Sequence, residues 1–96
     1  MSAKKEGTRK RRGEPEADAP LSDDEFARGY GAMLARRTRA ATGLSQNAFA
    51  ARFGIPVGSL RDWEQGRRAP DAAAQSYLRV IAQMPEAVAR ALHDAA

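Results

Sequence analysis

Residues 44–70 read LSQNAFAARFGIPVGSLRDWEQGRRAP, and their spacing organises the rest of the chain. Ser45 stands before QNAFAARF as the kind of residue whose side-chain oxygen takes up a free N–H at a helix start. Gly54 closes that run with a residue that tolerates positive φ. Pro56 follows, and its fixed φ and missing N–H suit the first turn of a second helix. Ala50 is small enough, midway along the first helix, to let the second approach closely. Leu60 and Trp63, three residues apart, can anchor that second helix to a core, with Leu44 and Phe53 completing the set of anchors. Counting Gln46 as 1, Ala50 is 5, Gly54 is 9, Leu60 is 15 and Trp63 is 18. Two short helices crossing steeply through a glycine turn make a helix-turn-helix at residues 46–65.

With TGLSQ some twenty residues before WEQGRRAP, the stretch RAATGLSQNAFAARFGIPVGSLRDWEQGRRAP resembles the lambda-repressor-like, or XRE, family of bacterial helix-turn-helix proteins. The resemblance spans residues 32–83. The continuation YLRVIAQMPEAVARAL is similar to HigA-type antitoxins of toxin–antitoxin operons. The family resemblance implies that Gln46 bonds a DNA phosphate, helped by the N–H groups at its helix N-terminus. It also implies a structural ion pair between Arg39 and Glu64, which makes Glu64 architecture. Ser45, Arg52, Ser59, Gln65, Arg67 and Arg68 are the further expected phosphate contacts, although plain solvation explains Arg52 equally well.

On a recognition helix the exposed residues near its start reach base edges. Those are Val57, Gly58, Arg61 and Asp62. Arg61 suits a bidentate contact to guanine, Asp62 can accept from a cytosine amino group, and Val57 can touch a thymine methyl. Two departures from the family stand out. Pro56 replaces the Ser or Thr often found at the helix start, and Gly58 brings no side chain to a reading position. Readout through DNA shape gains weight accordingly.

Working outward, MSAKKEGTRKRRGEPEADAP (residues 1–20) has no Leu, Ile, Val, Phe, Tyr or Trp and is expected to be a disordered basic arm. It could be a solvated tail, a DNA-grazing arm, or a segment that folds on a protein partner. Residues 21–96 form the expected helix-turn-helix domain. Ser22 and Glu25 have the spacing of a capping box, and Asp23, Asp24 and Glu25 suit the positive end of a helix dipole. Phe26, Tyr30, Met33 or Leu34, Arg37 and Ala41 recur at helical spacing up to Gly43. Gly29 and Gly31 weaken this helix and predict a kink or fraying over 23–31. Asp71 predicts a fourth helix over 71–83, and Pro85 a fifth over 85–94. Tyr77, Ile81, Met84, Val88 and Leu92 form an apolar stripe across both, suited to a core and to a homodimer interface. Nothing alternates with period two, so the expected fold is all-α, five short helices behind an arm.

Composition narrows the function. The chain has 96 residues, 16 Lys+Arg against 12 Asp+Glu, one histidine and no cysteine. A net charge of +4 favours a polyanionic partner, and the positive charge lies ahead of residue 71. Disulfides and cysteine-based metal sites are excluded, and no metal or other cofactor is expected. His93, near a helix end, fits a dipole contact. No paired carboxylates, nucleophile with a base, or Gly-rich phosphate loop suggests an enzyme. The few aromatics are at core spacing, which disfavours RNA binding. The expected function is a sequence-specific, dimeric autorepressor on a palindromic operator in double-stranded DNA. It would be cytoplasmic, associated with the bacterial nucleoid. The alternative is an antitoxin that mainly neutralises a toxin protein through the arm or the outer helices.

Overall fold

In the computed structural model, which describes residues 20–94, the chain beyond Pro20 folds into five α-helices, and no strand occurs among the described residues. They are α1 (Asp23–Thr42), α2 (Gln46–Phe53), α3 (Val57–Glu64), α4 (Ala72–Gln83) and α5 (Pro85–Asp94). The expected arm falls outside the described residues except for Pro20. None of the described helices is long and apolar enough to cross a membrane.

Local chemistry sets the boundaries. Ser22 Oγ accepts the Glu25 N–H at 3.0 Å while Glu25 Oε1 accepts the Ser22 N–H at 3.0 Å, the reciprocal capping box. Ser45 and Asp71 cap α2 and α4 by accepting the N–H groups of Ala48 (3.1 Å) and Ala74 (2.9 Å). Gly43 and Gly54 end α1 and α2 in the left-handed region, at φ 73° and 68°, where a Cβ would be strained. Pro56 sits one position earlier than expected. It is the N-cap of α3 rather than its first residue, with ψ 128° and no side-chain cap.

α1 departs further from expectation. It keeps the expected bounds but runs unbroken for 20 residues through both glycines, with no kink over 23–31. Its buried residues are Gly31, Ala32, Ala35 and Thr38, not the large apolar side chains at helical spacing. Phe26 is 63% exposed and Met33 39%. The reason is close approach: α1 packs on α3 and α4 through its small residues, which carry little hydrophobic signal.

Gly31 shows how close that approach is. A Cβ there would run into the Pro70 ring, against both Cδ and Cγ, and a proline ring cannot swing aside. Around Gly29 there is open space. Two alanine substitutions two residues apart are therefore expected to act oppositely. Gly29→Ala should stabilise the chain by about 0.5–1 kcal/mol through helix propensity. Gly31→Ala should lose about 1–2 kcal/mol, because the overpacking penalty outweighs the same gain. Urea unfolding of the two variants checks both signs.

The core gathers Phe49, Ala50 and Phe53 of α2, Ile55 of the turn, Leu60 and Trp63 of α3, Leu78 and Ile81 of α4, and Ala89 of α5, together with Ala35. Phe49 and Phe53 meet as a tilted pair with ring centroids 4.9 Å apart. Ala50, Phe53, Leu60 and Trp63 are buried as expected of anchors, whereas Leu44 is half-buried against the cluster. The Tyr77 hydroxyl donates to the Phe53 carbonyl at 2.6 Å, taking up an acceptor at the end of α2. Burial raises the Tyr77 hydroxyl above its ordinary pKa.

Candidate nucleic-acid interface

α3 is held from behind. Leu60 is fully buried, Trp63 is 9% exposed and Glu64 only 4%. A buried carboxylate needs partners, and Glu64 has three donors. Arg39 gives Nε to one oxygen at 2.7 Å and Nη2 to the other at 2.9 Å, a bidentate pair. Gln46 Nε2 donates to the second oxygen at 3.0 Å. Arg39 Nη1 also donates to the Leu44 carbonyl at 3.1 Å. One network thus joins the end of α1, the loop before α2, the first residue of α2 and the last of α3.

Burial by itself pushes the Glu64 carboxyl up. The hydrogen bonds from Arg39 and Gln46, with the Arg39 charge, more than offset this and hold it below the usual carboxylate range. Arg39 is correspondingly raised, chiefly by its hydrogen bond to Glu64.

The opposite side of α3 faces water and is stitched to its neighbours. Arg61 is exposed, and its Nη2 donates to Asn47 Oδ1 on α2 at 3.1 Å. Arg68 donates through Nε to Asp62 at 3.2 Å and through Nη2 to Ser59 Oγ at 3.2 Å. Arg67 lies 3.6 Å from the other Asp62 oxygen. Gly66, at φ 72°, curls the chain after α3, and the Arg67 N–H donates to the Asp62 carbonyl at 2.9 Å. Gly58 and Gln65 are exposed, and Val57 is half-buried against the core cluster.

The first turn of α2, the outer side of α3 and the loop after it therefore form one surface bearing Arg61, Arg67 and Arg68. Asn47 belongs to it, although residue types alone did not single it out; its place directly after Gln46 at the start of α2 was the available signal.

A family model described as Helix-turn-helix domain matches residues 31–92. The chain belongs to that family. A solved structure supports the same assignment: the helix-turn-helix domain resembles the crystal structure of a "HTH XRE-family like protein from Agrobacterium tumefaciens". The two share 51% sequence identity and a TM-score of 0.60, over 62% of this chain and 95% of that one. No curated protein matches this chain. An XRE-like helix-turn-helix domain is in general the DNA-binding part of a regulator.

Several expected site residues of this helix-turn-helix domain are placed differently. Arg52 lines a groove of about 280 Å³ with Glu86, Ala89, Arg90, His93 and Asp94 of α5, and no residue of α3 shares it. Asp62, expected at a base edge, has its carboxylate engaged by Arg67 and Arg68. Ile81, expected at a dimer interface, is fully buried in this chain's own core, and Tyr77 is half-buried with its hydroxyl bound to Phe53. Both lie on the inner side of α4, which packs against α1 and α5. Met84 and Leu92 remain exposed, at 52% and 42%.

Proposed function

We propose that the chain is a sequence-specific transcriptional regulator that acts as a homodimer, represses its own operon and inserts α3 into the major groove. The observation that carries this reading is the division of α3. Leu60, Trp63 and Glu64 hold its inner side, leaving Gly58 and Arg61 on a water-facing side flanked by Asn47, Arg67 and Arg68.

Arg61 is the reader, making a bidentate contact to guanine, with Val57 against a thymine methyl at the edge of the core. Gly58 lets the backbone come close to the base pairs. Ser45, Gln46, Ser59, Gln65, Arg67 and Arg68 set the register on the phosphates. Gln46 has one amide hydrogen on Glu64, which orients the side chain and leaves its second N–H for a phosphate oxygen. No side chain caps α3, so its first-turn N–H groups are available to an anion.

The dimer interface is drawn from exposed Val80 of α4, Met84 at the junction of α4 and α5, and Leu92 of α5, with half-buried Val88 of α5. Toxin neutralisation is a second reading. It is favoured by Leu21 and Phe26, which stand 66% and 63% exposed at the start of the described residues.

Hydroxyl-radical footprinting on the DNA upstream of the chain's own reading frame tests the dimeric regulator. Two protected patches on one face of the duplex, roughly 34 Å apart, are the expected result. Protection without fixed positions would sink it.

A further inference from the structure

Asp62 is the one acid on the water-facing side of α3, and its charge opposes that of DNA. Its surroundings give it a use. The carboxylate accepts from Arg68 at 3.2 Å and lies 3.6 Å from Arg67, while its carbonyl accepts the Arg67 N–H at 2.9 Å. Arg68 is fixed a second time by Ser59 Oγ. One residue thus shapes the loop through its main chain and holds both loop arginines through its side chain.

The side chains of Arg67 and Arg68 are 67% and 58% exposed. Ion pairs so open to water add little to folding stability. A stability role therefore does not explain the cluster. What it does is set where two cationic groups point, and reduce their combined charge from two to one.

Resting on the DNA-binding reading above, we propose that Asp62 is a specificity-determining residue that restrains Arg67 and Arg68 against indiscriminate phosphate binding. Non-specific affinity is carried by the number of phosphates that Lys and Arg neutralise. An arginine that must leave or share a carboxylate to reach a phosphate gains less from doing so. On the correct site, base contacts lock the register, and the phosphates arrive where the two arginines already point. On other DNA no such register exists, and the restraint weakens binding. The carboxylate widens the gap between the two kinds of DNA without itself touching a base.

The test compares the wild type with Asp62→Asn, which keeps the size and the backbone carbonyl. Anisotropy is measured on the chain's own upstream duplex and on a shuffled duplex across a salt series. Asp62→Asn should bind the shuffled duplex roughly eightfold more tightly at 0.1 M salt for each arginine released, with a log–log salt slope steeper by about 1. Its preference for the upstream duplex should fall.

Glu86→Gln, the same charge change on α5, should leave that preference intact. In an Arg67→Ala, Arg68→Ala background, Asp62→Asn should change nothing. An equal rise with Glu86→Gln, or an effect that survives loss of both arginines, overturns the proposal in favour of plain net charge. Altered preference at one base pair with unchanged shuffled-duplex binding overturns it in favour of base reading. Failure of the wider DNA-binding reading looks different: the wild type itself would bind neither duplex.

Discussion

Glu64→Ala is expected to destabilise the chain by about 3 kcal/mol at pH 7, with loss of one partner of a buried ion pair as the cause. The estimate sits at the low end of the usual range because the orphaned Arg39 side chain is 28% exposed and can turn to water. For a domain of this size the midpoint of thermal unfolding should fall by about 15 °C. Gln46 loses its acceptor in the same variant, so the start of α2 and the end of α3 loosen together.

The pair also predicts a pH dependence. The folded Glu64 carboxyl is held below its unfolded value, so its contribution is fully present above the ordinary glutamate range. It disappears as pH falls through the lowered folded value. The wild type should therefore lose stability in acid more steeply than Glu64→Ala. In Arg39→Met the acid limb should flatten too, because burial then acts on Glu64 without its strongest counterweight. Urea unfolding at pH 7 and pH 3 checks these signs. A Glu64→Ala variant as stable as the wild type at pH 7 would show that α3 is not held by this network.

Much of this architecture can be read from residues that act locally. Ser22, Gly43, Ser45, Gly54, Asp71 and Pro85 mark helix boundaries because a cap depends only on its own neighbours. The inward spacing of Leu60 and Trp63 belongs to the same class, as does the family pairing of Arg39 with Glu64, found intact in the structure.

Contacts that depend on how elements cross were not legible. The buried side of α1 consists of Gly31, Ala32, Ala35 and Thr38, whose small size is only meaningful once Pro70 and the neighbouring helices are in place. Asn47 meets Arg61 across 14 residues because α2 and α3 cross where they do. Asp62 gathers Arg67 and Arg68 only because Gly66 folds the loop back. Ile81 and Met84 lie three residues apart on an apolar stripe, yet one is fully buried and the other 52% exposed. Periodicity finds such a stripe but does not say which neighbour covers it.

Arg61→Ala carries the second large effect, and it falls on binding rather than folding. Arg61 is exposed and its partner Asn47 is exposed too, so the substitution should change stability by no more than about 0.5 kcal/mol. A bidentate contact to guanine contributes about 1–3 kcal/mol of discrimination. In the proposed dimer, two copies on a palindromic site double that, to roughly 2–6 kcal/mol, or at least about thirtyfold in affinity for the correct DNA.

The decisive measurement is fluorescence anisotropy of the wild type and Arg61→Ala on the upstream duplex and on a shuffled one, across a salt series. The wild type should prefer the upstream duplex, and Arg61→Ala should lose most of that preference while keeping its weak, salt-dependent binding to both. Equal, steeply salt-dependent binding to both duplexes by the wild type, indifferent to Arg61, would contradict a reading role for α3 and leave only a basic surface.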